Sequence, residues 1–160
     1  MTTNNDTNQT ESKPRRLYFK SFLKFISNSV GSQAYRNFYV ETPEKGEFDA
    51  LDDSDNSGAF FVSAVLVIFK KLEGMHGTVK STIEDLQKSG WQLVDEVQAG
   101  DVVVWEARQF ADGLKEQIGF SIGNGKAIST SSQQRVVNEH DLYFGDNHRK
   151  VIQIFRTSWQ

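Results

Sequence analysis

The stretch from Gly58 to Leu72 constrains the fold more than any other part of the chain. It holds Phe60, Phe61, Val62, Ala64, Val65, Val67, Ile68 and Phe69 with little polar interruption. A segment that is apolar all round has to be covered all round. The run is longer than an ordinary strand, and it ends in Lys70-Lys71, which suits the negative end of a helix. Asn56 or Ser57 can cap its start. The pattern predicts a buried helix over 58–72, with the rest of the chain packed around it.

Other segments supply the packing partners. Phe19, Phe22, Leu23, Ile26 and Val30 recur at helical spacing, and Lys20 and Lys24 fall on the opposite side, so residues 17–30 read as an amphipathic helix. A short strand is expected around 38–40, followed by an acidic surface loop over 41–55. Thr78 can cap a helix that buries Val79, Ile83 and Leu86 and stops at Gly90. The second half reads as strands: 102–105, then Ile118, Phe120 and Ile122 in alternation, a turn at Asn124-Gly125, a return through Ala127-Ile128, and a last strand over 151–155. Helices first and an antiparallel meander after them make an α+β fold with a sheet of about five or six strands.

At 160 residues the chain is the size of one domain. Residues 1–16 are polar after Met1 and are expected to form an unordered tail, with a single domain over 17–160. The tail lacks the apolar stretch of a secretory signal, which points to a cytoplasmic protein. No apolar run approaches the length of a membrane span. The net charge of -3 argues against nucleic acid as a partner. Lys13, Arg15, Arg16, Lys20 and Lys24 give the first helix a basic side. That side is either the solvated face of a docked helix or a peripheral contact for an anionic membrane or a protein partner.

The chain contains no cysteine, which excludes disulfides, thiolate metal sites and thiol nucleophiles. This matters because several motifs line up with a family of thiol enzymes. Asn56-Ser57-Gly58-Ala59-Phe60-Phe61-Val62 opens the buried helix, Gly100-Asp101 opens a strand, and Gln117-Ile118-Gly119-Phe120 runs into the Gly123-Asn124-Gly125 turn. In this order the segments resemble the NlpC-type cell-wall cysteine peptidases, which have a papain-like architecture. His76-Gly77-Thr78-Val79 and Ser89-Gly90-Trp91 are similar to a subgroup of them. The resemblance covers roughly residues 38–156. It implies that the family's cysteine position is Gly58, its histidine position Gln117, and its third polar position Ser129.

By this resemblance all three roles are altered. Glycine offers no nucleophile, and a glutamine amide cannot exchange a proton near neutral pH. Ser129 is a poor orienter of an imidazole but can hydrogen-bond Gln117. The chain then reads as an inactive homologue whose cleft binds a peptide, a peptidoglycan-like fragment or a protein partner. An alternative is an amide hydrolase or acyl transferase with another nucleophile, for which Ser57 with His140 are the candidates. Another is an interaction protein acting through residues 17–30.

No cofactor or metal is expected. The three histidines, His76, His140 and His148, show no ligand pair on one element, and His140 reads as a surface or loop residue. Asp53-Ser54-Asp55-Asn56-Ser57-Gly58 is similar to half of a calcium loop, but Ala64 stands where the bidentate carboxylate should be. Gly123-Asn124-Gly125 is a hairpin turn, not a phosphate loop. Trp91 and Trp105 read as core, with a ligand cleft as the alternative.

Overall fold

A computed structural model describes residues 12–53 and 56–160. The elements run α1 (Tyr18–Asn28), β1 (Tyr39–Thr42), β2 (Gly46–Asp49), α2 (Ser57–Ile68), α3 (Val79–Lys88), β3 (Gln92–Leu93), β4 (Val102–Phe110), β5 (Gly113–Gly123), β6 (Lys126–Ser131), β7 (Val136–Asp141) and β8 (Val151–Arg156). β1 and β2 form a small hairpin. The other six strands form one antiparallel sheet in the order β3-β8-β4-β5-β6-β7. The fold is α+β, as the sequence pattern indicates.

α2 is the central helix. Ala59, Phe61, Val62, Val65 and Leu66 are buried, and the helix packs on β5 and β6. It stops at Ile68, short of residue 72, because Lys70 turns into the left-handed region at φ 56°. The amide of Lys70 donates to the Val67 carbonyl and that of Lys71 to the Leu66 carbonyl, so the lysine pair lies beyond the helix in a Schellman-type end. Asn56 stands at the N-cap without a side-chain capping bond. α3 is capped by Thr78, whose side chain accepts from the Ser81 amide, and it ends at Gly90 with φ 87°.

α1 docks through Phe22 and Ile26, both fully buried. Burying two such side chains contributes on the order of 4 kcal/mol. Phe22 stacks on Trp159 at a centroid distance of 4.1 Å and meets Phe69 and Phe120 edge-on. Lys20, Lys24 and Val30 stay exposed. Residues 12–17 are exposed and carry no regular structure; the first eleven residues of the polar segment 1–16 lie outside the described residues.

The acidic stretch 41–55 is not simply a loop: its middle forms β2. Asp49 organises the exit from that strand. Its carboxylate accepts from the amides of Phe38, Leu51 and Asp53 and from Asn37 Nδ2. The Gly100-Asp101 pair has a packing role. A Cβ at Gly100 would stand 2.5 Å from the Phe19 ring, and buried Asp101 accepts two bonds from Arg156. Trp91 and Trp105 are both core residues; their indole N–H groups donate to the carbonyls of Lys71 and Leu142.

Candidate functional site

The N-terminal turn of α2 lies across β5, and this contact brings Gly58 against Gln117. A Cβ built on Gly58 would stand 3.2 Å from the Ile118 carbonyl oxygen and 3.3 Å from Gln117 Oε1. Gln117 Nε2 donates to Ser129 Oγ at 3.0 Å and to the Thr130 carbonyl at 2.8 Å. A carbonyl only accepts, so the Thr130 bond fixes which end of the amide is which and turns Oε1 toward Gly58. Gly58, Gln117 and Ser129 therefore meet in one place.

The line of contacts continues to His140. Ser129 Oγ is 2.8 Å from His140 Nε2, and His140 Nδ1 is 2.8 Å from the Asp141 carbonyl. That carbonyl requires the proton on Nδ1, which leaves Nε2 to accept from the serine hydroxyl. His140 is not a loop residue. It lies half-buried on β7, opposite Ala127, and its ring stacks on Phe144 at 4.0 Å. Burial lowers its pKa from the ordinary 6.5; the Asp141 carbonyl bond and the charges of Asp141 and Glu139 oppose this without reversing it, and Lys126 adds to the lowering. The ring is neutral near pH 7. It holds a hydroxyl that holds an amide, and Ser129, the one hydroxyl among these four residues, is 1% exposed.

A groove passes over this line. On one side it is about 650 Å³ and is bordered by Arg108, Lys115, Asn138 and Arg149. On the other it is about 810 Å³ and is bordered by Val79, Ile83, Leu114 and Ile152. Gln117 and Lys115 belong to both sides. Arg108, Arg149 and the Thr130 carbonyl carry no motif and come together through strand pairing and the connection before β8, so no pattern along the chain marks them.

The remaining sequence candidates lie elsewhere or have structural roles. Ser57 is the buried first residue of α2, whereas both ring nitrogens of His140 are engaged at Ser129 and Asp141. His76 pairs with Asp85 at 2.7 Å, and its amide donates to Ser63 Oγ, fastening the α2–α3 connection. Burial raises the Asp85 pKa, but bonds from His76, Ser89 and the amides of Gly74 and Glu73 outweigh it and leave the carboxyl below its usual value. His148 stacks on Tyr143. In the calcium-like segment, Ser54 and Asp55 lie outside the described residues, Asp53 pairs with Arg36 and Arg135, and Ala64 is inside α2. Among the described residues no three metal-ligating side chains cluster, and no helix is long and apolar enough to cross a membrane.

The solved structure of NlpC2 from Trichomonas vaginalis is similar to this chain, with a TM-score of 0.50 and 15% identity. The match covers 91% of this chain and 50% of that one, so the chain spans half the length of the protein it resembles. At this identity the likeness shows an NlpC-like fold. No family model and no curated protein matches the chain.

Proposed function

We propose that this chain is an NlpC-like domain without peptidase chemistry, whose cleft holds a peptide, a peptidoglycan fragment or an extended segment of a protein partner. The observation that carries this is the contact between Gly58 and β5. Where the family resemblance puts a thiol there is a glycine, and the Ile118 carbonyl oxygen of β5 lies 3.2 Å from where a Cβ would stand. Gln117 beside it offers an amide, able to bond a peptide group but not to take a proton. The groove mixes polar and apolar groups on both flanks, with Arg108 and Arg149 on one and Leu114, Ile83 and Ile152 on the other, as ligand clefts commonly do.

The test is hydrolysis of peptidoglycan fragments and generic amide and ester substrates by the natural chain and by a Gly58→Cys, Gln117→His variant. The natural chain is expected to be inert. Turnover by it would overturn the proposal. Cleavage by the variant would support an intact cleft, and the second substitution removes one of the two close contacts at residue 58.

A second reading, an amide hydrolase or acyl transferase with a serine nucleophile, is supported by the Ser129–His140 bond and its fixed tautomer. The burial of Ser129 counts against it. Fluorophosphonate labelling that disappears in Ser129→Ala or Ser57→Ala would favour this reading; no labelling at either serine would sink it.

A further inference from the structure

The two flanks of the groove differ in charge more than a general peptide cleft requires. The Arg108 flank is bordered by three cations, Arg108, Lys115 and Arg149, and by one acid, Asp112. Asp112 is paired with Lys115 at 2.7 Å. Among the described residues neither guanidinium group is paired with a carboxylate, in a protein whose net charge is -3.

Arg149 is the more telling of the two. It is only 8% exposed, yet its partners are neutral: Nε donates to the Glu106 carbonyl at 2.8 Å and Nη2 to the Lys115 carbonyl at 2.6 Å. These two bonds fix the plane of the group. Among the described residues no buried side-chain nitrogen lacks a partner, so Nη1, which makes no such bond, reaches solvent, and the solvent beside Arg149 is the groove. Burial and then the charge of Arg108 lower the Arg149 pKa; Glu106 and Glu116 oppose this more weakly. Arg108 is likewise held, donating to the carbonyls of Asn147 and His148. A buried guanidinium ordinarily faces a carboxylate, and two pre-oriented ones favour a planar anion.

The opposite flank has no excess of cations, since Lys80 and Lys115 are matched in number by Glu84 and Glu116, and it presents apolar side chains at its mouth. Leu114 is 70% exposed and Ile152 46% exposed, with Ile83 and Val79 behind them. Between the flanks sits the Gln117 amide, and Asn138, Gln109 and Gln133 add further amides on the cationic side.

We infer that the groove selects a peptide-like ligand that carries a carboxylate, seated against Arg108 and Arg149, with an apolar side chain on the other side of Gln117. This rests on the proposed cleft function and adds the charge and polarity of the ligand to it.

The experiment is an isothermal or NMR titration of the full chain with acetyl-Leu-Ala-Glu-amide, acetyl-Leu-Ala-Gln-amide and inorganic phosphate at low ionic strength. The acidic peptide is expected to bind about ten-fold more tightly than its neutral twin, the scale of one charge-assisted hydrogen bond. Arg108→Gln, which leaves the two carbonyl bonds of Arg149 in place, is expected to bring the affinity for the acidic peptide down to that for the neutral one. Arg149→Lys serves as the second variant once circular dichroism has established that it folds. Equal binding of the two peptides would overturn the carboxylate selection and leave the cleft function standing. Phosphate binding as tightly as the acidic peptide would overturn it in favour of a simple anion site. Failure of both peptides to bind at millimolar concentration would overturn the cleft function, and this inference with it.

Discussion

Ser129 Oγ lies 2.8 Å from His140 Nε2, although the two residues sit on neighbouring strands and are not directly paired. Ser129 opposes Asn138 and His140 opposes Ala127, so the bond runs diagonally across one face of the β6–β7 ladder. It ties the edge strand to the Gln117 amide and makes the edge of the sheet sensitive to the protonation of one ring.

That sensitivity can be measured. His140 has a pKa below the ordinary 6.5 because of burial, so below that pH the unfolded chain binds a proton that the folded chain refuses. Stability is expected to be constant on this account above pH 6.5 and to fall as pH drops through the histidine range, by up to about 1.4 kcal/mol per pH unit. Chemical denaturation of the natural chain and His140→Asn between pH 5 and 8 checks this. Parallel pH profiles for the two would contradict it.

Asp49 gives the opposite dependence at lower pH. Burial raises its pKa, but the amides of Phe38 and Asp53, the Asn37 side chain and the Leu51 amide together hold it at about 2, against the ordinary 3.8. Its contribution is complete above the ordinary value and is lost as pH falls toward 2. Asp49→Asn is expected to cost about 2 kcal/mol at neutral pH. The gap between the two proteins should narrow on acidification below pH 4, as followed by urea unfolding.

Two glycines on the site's contact surfaces should respond differently to alanine. A Cβ at Gly119 would lie 2.6 Å from the Ile128 carbonyl oxygen and 2.8 Å from Ser129 Cβ, with Trp105 behind. Gly119→Ala is expected to destabilise by roughly 3 kcal/mol. At Gly58 the nearest atoms are 3.2 and 3.3 Å away, and helix propensity favours alanine, so Gly58→Ala should stay within about 1 kcal/mol of the natural chain. Thermal or denaturant unfolding separates the two cases.

Lys70 occupies the left-handed position that ends α2, with φ 56° and an exposed side chain. Glycine takes this conformation without a Cβ penalty. Lys70→Gly is expected to raise stability by about 0.5–1 kcal/mol. A fall in the denaturation midpoint would show that the lysine side chain contributes more than its backbone costs.

The elements that were legible in the sequence are those with a strong local signal. α2 announces itself by its apolar density, α3 by Thr78 and Gly90, and the β5–β6 hairpin by Asn124-Gly125, whose φ values of 52° and 69° match a type I′ turn. β2 and β7 were not legible. Glu47 and Asp49 in one, and Asn138, Glu139 and Asp141 in the other, give little apolar alternation, because these strands are edges held by backbone pairing. The site divides the same way. Gly58, Gln117 and Ser129 could be placed through motif order, each beside a recognisable apolar run. His140 is a candidate in the sequence only beside Ser57 and reads there as a surface or loop residue; its bond to Ser129, like the places of Arg108 and Arg149, is set by strand register, the connection before β8 and carbonyls, which leave no trace in side-chain identity.

The stack of Phe22 on Trp159 joins the first helix of the domain to the residues that follow its last strand. Nearly the whole described chain separates the two rings, so this contact, like that of Phe19 with the same Trp159 ring, closes a very long loop. Contacts of such long range carry a large loop-closure cost. α1 is therefore fastened to the sheet by a clasp made from opposite ends of the chain. Trimming the segment around Trp159 would loosen the helix, and with it the cover over Phe69 and Phe120, without touching the groove.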